Sequence, residues 1–129
     1  MWILLATGAW AATVTVGPSG THSTIQDAID AASSGDTIEV AAGTYVEDLD
    51  LSGKDLTITG TSGAPSTTLT ASATGTAVSW TSGESGVFEG FTVEGGTRAF
   101  DVGSGSPTVR DCIVTDGGTK GTTDGGGLR

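Results

Sequence analysis

A shift of 21 residues superposes Phe88, Phe91 and Val93 on Val109, Cys112 and Val114, and brings Gly96 onto Gly117. A shift of 22 sets Ala77-Val78-Ser79-Trp80 on Ala99-Phe100-Asp101-Val102. Leu56-Thr57-Ile58-Thr59-Gly60 also matches Phe91-Thr92-Val93-Glu94-Gly95 class by class, with the loop around Pro65 lying between them. Within each unit apolar residues recur at i and i+2, the period of a strand, and Gly, Ser or Asp separates the pairs. A period of about twenty residues that holds several short strands is one turn of a solenoid. Each strand then pairs with its counterparts in the turns before and after, and inward side chains stack in columns. No single turn can bury its apolar face alone.

The same grammar runs through most of the chain. Thr13 to Val16 alternates and is broken by Gly17-Pro18-Ser19-Gly20; Ile38/Val40, Leu49/Leu51, Leu56/Ile58, Val78/Trp80, Phe100/Val102 and finally Leu128 continue it. One stretch differs. Ile25, Ala28, Ile29 and Ala32 fall at i, i+3, i+4 and i+7, a narrow apolar stripe that leaves Gln26, Asp27 and Asp30 outside it and predicts an amphipathic helix. Ser23-Thr24-Ile25-Gln26 fits a capping box at its start, and Ser34-Gly35 fits a left-handed stop at its end. The first turn of a solenoid would expose both its core and its strand edges, which invites edge-to-edge association. A helix with one apolar stripe covers both, so this helix is expected to cap the solenoid against Ile38, Val40 and their neighbours. At roughly 25 cal/mol per Å² of apolar area, that burial is worth several kcal/mol.

At 129 residues the chain holds at most one domain. Its apolar fraction of 36% is low for a packed globule, which suits many short strands joined by tight turns. The net charge of −10 arises without a run of like charges, so nucleic acid and anionic membranes are unsuitable partners. The single cysteine, Cys112, excludes an intramolecular disulfide and a thiolate-built zinc site. Residues 1–11 are apolar and end in the small-x-small pattern Ala9-Trp10-Ala11, the form of a secretory signal cleaved before Ala12, although no Lys or Arg precedes the run. A buried first strand is the alternative. The run is too short to span a bilayer, and no membrane insertion of the mature chain is expected.

The segment from Thr24 to Gly60, TIQDAIDAASSGDTIEVAAGTYVEDLDLSGKDLTITG, resembles the N-terminal part of right-handed parallel β-helix proteins of the pectin-lyase-like superfamily. There a capping helix is followed by a Gly-Asp-Thr-Ile strand, then a Gly-Thr-Tyr turn with an acidic residue soon after, here Glu47. Ser106-Pro107-Thr108-Val109-Arg110-Asp111-Cys112 and the restart at Gly125-Gly126-Gly127-Leu128 look like coil repeats of the same group. The resemblance implies an all-β solenoid, a right-handed parallel β-helix with one N-terminal capping α-helix, with residues 12–129 forming its C-terminally truncated N-terminal part. The superfamily includes lyases, hydrolases and esterases of pectin, alginate epimerases, and surface or adhesin-like proteins.

Candidate chemistry is sparse. Glu47, Asp48, Asp50 and Asp55 form one acidic group and Asp111, Asp116 and Asp124 a looser second, but neither has the spacing of a calcium loop. Alternation turns Asp48 and Asp50 outward, so both groups read as a solvated, solubilising face. His22 reads as an exposed turn histidine, Tyr45 as a ring packed over its own turn, and Trp80 and Cys112 as core residues in line with Val102 and Phe91. Lys54, Arg98, Arg110 and Lys120 are scattered and assemble no cationic clamp for uronate carboxylates. Arg98, Asp101 and Arg110, on neighbouring strands, are the first place to look should turnover be found. No catalytic, cofactor-binding or metal-ligating residue is assigned, and calcium is the one ion both functional readings accommodate. The first reading is a non-catalytic repeat protein, secreted or on the cell surface, that contacts polysaccharides or cell-surface glycans in the manner of an adhesin. The alternative is the N-terminal cap of a pectin- or alginate-type lyase, epimerase or hydrolase whose active coils lie beyond Arg129.

Overall fold

A computed structural model describes residues 11–115. The readings placed on residues 1–10, and on Asp116, Gly117, Lys120, Asp124 and the restart at residues 125–128, lie outside those residues.

The strands form three sheets that are visited in rotation, and every pairing is parallel. The first sheet stacks β1 (Thr13–Val16), β2 (Thr37–Val40), β5 (Thr57–Gly60), β8 (Val87–Glu89) and β11 (Thr108–Arg110). The second stacks β3 (Gly43–Val46), β6 (Thr67–Ala71), β9 (Thr92–Gly95) and β12 (Ile113–Val114). The third stacks β4 (Leu49–Asp50), β7 (Thr76–Trp80) and β10 (Arg98–Val102). The chain is therefore a parallel β-solenoid of about four turns.

Register follows the apolar columns. Ile38, Ile58, Phe88 and Val109 stack in the first sheet, Tyr45, Leu69, Val93 and Val114 in the second, and Leu49, Val78 and Phe100 in the third. The 21-residue match is the true register, since Val109 pairs with Phe88 and Val114 with Val93. So is the 22-residue match, which sets Phe100 on Val78 and Val102 on Trp80. The third match is not a register. Leu56–Gly60 belongs with β8 of the first sheet, where Ile58 meets Phe88, whereas Phe91–Gly95 stacks on β6 of the second. Every inward strand that ends at a glycine corner carries the same pattern, so the pattern alone does not say which sheet a strand joins. The short 3-10 helix Ala64–Ser66 and the loop before Val87 lengthen that turn and break the constant period.

The core is a file of buried Ile, Leu and Val side chains that becomes aromatic in the later turns. Phe88 stacks on Phe91 with ring centroids 4.5 Å apart, and Trp80 meets Phe88 edge-on at 6.2 Å. Phe100 closes against both Trp80 and Phe88. Val102 and Val114 hold the expected register but are 51% and 44% exposed, because each lies on the last strand of its sheet among the described residues. At one corner the backbone comes so close that only glycine fits: a Cβ on Gly60 would overlap the carbonyl of Gly90, itself at φ +80°.

The helix α1 (Ile25–Ala31) packs on β1, β2 and β4, with Ile25, Ala28, Ile29 and Ala32 all buried. Its ends depart from expectation. The N-cap is Thr24 rather than Ser23, and its hydroxyl accepts the Asp27 N–H at 3.1 Å. Gln26 does not reach back to the cap. It instead bonds both the N–H and the C=O of Asp50, at 2.9 and 3.1 Å, and so completes the open edge of β4. The helix stops at an extended Ala32, and Gly35, at φ +98°, serves the following turn instead. Asp36 closes that turn, its carboxylate accepting Ser33 N–H at 2.8 Å and Ala12 N–H at 2.9 Å.

Candidate functional site

Four acidic side chains, Glu47, Asp48, Asp55 and Glu84, are latches between turns. A solenoid that bends at every corner leaves corner N–H groups unpaired, and a carboxylate can satisfy two at once. Glu47 accepts Ile25 N–H at 2.8 Å and Gln26 N–H at 2.9 Å, placing negative charge at the helix N-terminus. Asp48 holds the Ser72 N–H and hydroxyl at 2.8 and 2.6 Å, Asp50 the Ser52 N–H at 2.8 Å, and Asp55 the Ser85 N–H at 2.8 Å. Asp48 and Asp50 are exposed as alternation requires, Asp55 is exposed too and Glu47 is half-buried, and each of the four carboxylates accepts from its own backbone N–H partner. Glu84, which the sequence pattern does not single out, is 1% exposed and accepts Gly53 and Ser82 N–H groups. Its only signal is its place between Gly83 and Ser85 in a turn. Among the described residues, no three His, Cys, Asp or Glu side chains are grouped as metal ligands would be.

The three cations among the described residues are engaged too. Lys54 Nζ donates to the Ile29 and Asp30 carbonyls at 2.8 and 3.0 Å, the C-terminal counterpart of Glu47 on the same helix. Arg98 pairs with Asp101 at 3.3 Å on β10 of the third sheet. Arg110 pairs with Glu89 at 2.6 Å across β11 and β8 of the first sheet, where Glu89 also accepts the Thr59 hydroxyl. Arg110 therefore shares no face with Arg98 and Asp101: strands consecutive in sequence fall in different sheets. The Arg110 guanidinium, then the Thr59 hydroxyl, hold the Glu89 carboxyl below its usual range.

His22 is half-buried rather than exposed, because its backbone bridges to Val16. Tyr45 packs over its own turn, its hydroxyl donating to Ala41 O at 2.8 Å; burial, then the charge of Glu47, pushes its pKa up. The Cys112 thiol lies half-buried in the inward column, 3.2 Å from Arg110 O, and burial pushes it up.

The outward faces of the sheets carry regular rows of side chains. Thr13, Thr37 and Thr57 stand in one row of the first sheet, and Thr44, Thr68 and Thr92 in one row of the second. Neighbours in each row are about 4.8 Å apart, the spacing of adjacent strands. Thr15, Glu39, Thr59, Glu89 and Arg110 form a charged row beside the first. The rows were readable as Thr-x-Thr at residues 13–15, 57–59 and 68–70, but attention to the apolar positions passes over them. Comparison with protein-family models, curated proteins and solved structures found no match for this chain.

Proposed function

We propose that this chain is a module of an exported, right-handed parallel β-helix of the pectin-lyase-like kind, capped at its N-terminal end by α1. In this reading it is displayed or secreted and contacts glycans without turning them over. The observation that carries the reading is the outward row Thr13, Thr37 and Thr57, which offers hydroxyl and methyl groups at a fixed repeat along one sheet; in the row of the second sheet the Thr92 hydroxyl already donates to Ala64 O at 2.7 Å. The engagement of Glu47, Asp48, Asp55 and Glu84 with backbone N–H groups supports a structural role for the acidic residues. A polysaccharide with regularly spaced hydroxyls is the ligand such a face suits.

The test is depletion of the purified chain from solution by insoluble cellulose, chitin, calcium pectate and alginate beads, with and without chelator. The reading expects saturable retention on at least one of these, weakened when Thr37 and Thr57 are both replaced by Val, which keeps the shape and removes the hydroxyls, and no release of unsaturated uronates or reducing ends. Absence of retention on all four, or detectable turnover, would contradict it.

A further inference from the structure

The three sheets begin at β1, β4 and β3, and their outer edges are treated differently. Beside β1 the segment around His22 adds a partial strand, with His22 N–H donating to Thr15 O and Gly17 N–H to His22 O, each at 3.0 Å. At β4 the Gln26 amide bonds both backbone groups of Asp50. β3 has neither. Glu47 N–H donates to Thr70 O, so alternation along the strand turns the N–H and C=O of Thr44 and Val46 away from β6, toward the open edge. Among the described residues these groups have no hydrogen-bond partner. Val46 on that edge is 69% exposed, the highest of any large apolar side chain among them.

A groove of about 580 Å³ is lined by Pro18, Thr21 and His22 together with Gly43, Thr44 and Tyr45 of the strand. No Lys or Arg lines it; its ionisable side chains are His22 and Tyr45. Glu47 and Asp48 follow the strand directly, and the whole chain carries a net charge of −10. We propose that the open edge of β3 takes up an extended polypeptide segment of net positive charge, which adds a strand to the second sheet. Main-chain bonds to Thr44 and Val46 supply the pairing, and an apolar side chain of the segment covers Val46. Charge selects a cationic segment over an acidic one, and sets two copies of this chain against each other at the same edge.

The probe is a fluorescein-labelled hexapeptide, Lys-Thr-Val-Thr-Val-Lys, titrated with the full chain and followed by anisotropy. The proposal expects saturable binding that weakens as salt rises. It expects a loss of about tenfold or more in affinity for Val46→Lys, which places a like charge on the edge. A peptide with Pro for its first Val, and one with Glu for both Lys, should bind correspondingly worse. Val114→Lys, at the far strand of the same sheet, should bind like the parent, and both variants should keep the parent Tm. Three results would overturn the proposal: no saturable binding at millimolar chain, equal binding of the Glu peptide, or a peptide-free dimer that Val46→Lys dissolves.

Discussion

The Glu47 carboxylate accepts the Ile25 N–H at 2.8 Å, joining the corner between β3 and β4 to the first turn of a helix that precedes it by a whole solenoid turn. With Lys54 on the Ile29 carbonyl at the other end, one short helix is held at both termini by charges of the sign its dipole favours. A helix of 7 residues is too short to be stable alone, so these contacts and its buried stripe determine whether it forms. Glu47→Ala leaves two half-buried N–H groups unpaired and should cost about 1–3 kcal/mol in urea unfolding. Lys54→Met should cost less, about 0.5–1 kcal/mol. Equal stability of parent and Glu47→Ala would show that the latch contributes nothing.

Acid should loosen the fold through Asp36. The Ala12 N–H, then the Ser33 N–H, hold its carboxyl below its ordinary value of 3.8. A depressed carboxylate stabilises the folded chain fully above its unfolded pKa, and that contribution disappears as pH falls through the folded value. Glu89, depressed from 4.5 by Arg110, acts in the same direction. Melting curves of parent and Asp36→Asn should therefore differ most at neutral pH and converge below about pH 4. A gap that stays constant down to pH 2 would assign the effect to something other than the charge.

Cys112 reports on the last described turn. Its thiol is half-buried and its pKa is raised, so a thiol reagent should label it slowly at neutral pH in the native chain and quickly in denaturant. Native labelling as fast as in denaturant would mean that this turn is not stacked on Phe91.

Thr67 carries a fully buried hydroxyl with no hydrogen-bond partner among the described residues. Removing a buried polar group that makes no bond relieves its desolvation cost, so Thr67→Val should be neutral or stabilising by up to about 1 kcal/mol in thermal unfolding. A destabilised variant would reveal a hydrogen bond made by that hydroxyl.

Apolar columns were legible because inward packing repeats: Phe88 over Val109 and Val78 over Phe100 are visible as a shift of the chain against itself. The helix stripe was legible for the same reason. Polar latches were not. Glu47 reaches Ile25 across 22 residues and Glu84 reaches Gly53 across 31, and no local spacing encodes a bond between corners of different turns. Ser23 and Thr24 are both capping residues by type, and local sequence does not show that the chain turns into the helix at Thr24. Arg98 and Arg110 looked like neighbours because a linear reading does not show that the chain turns to another sheet between them.

The parallel register itself is tested most directly by engineered cysteines on the outward face, in a Cys112→Ser background. Thr37 and Thr57 pair directly on adjacent strands, whereas Thr37 and Thr59 are diagonal. Direct neighbours lie about 4.8 Å apart, within disulfide range, and the diagonal pair lies beyond about 7 Å. Thr37→Cys with Thr57→Cys should oxidise readily to an intramolecular bridge without loss of the native circular dichroism spectrum, and Thr37→Cys with Thr59→Cys should not. Bridging of the diagonal pair in preference to the direct one would contradict the register, and with it the stacking on which this account of the solenoid rests.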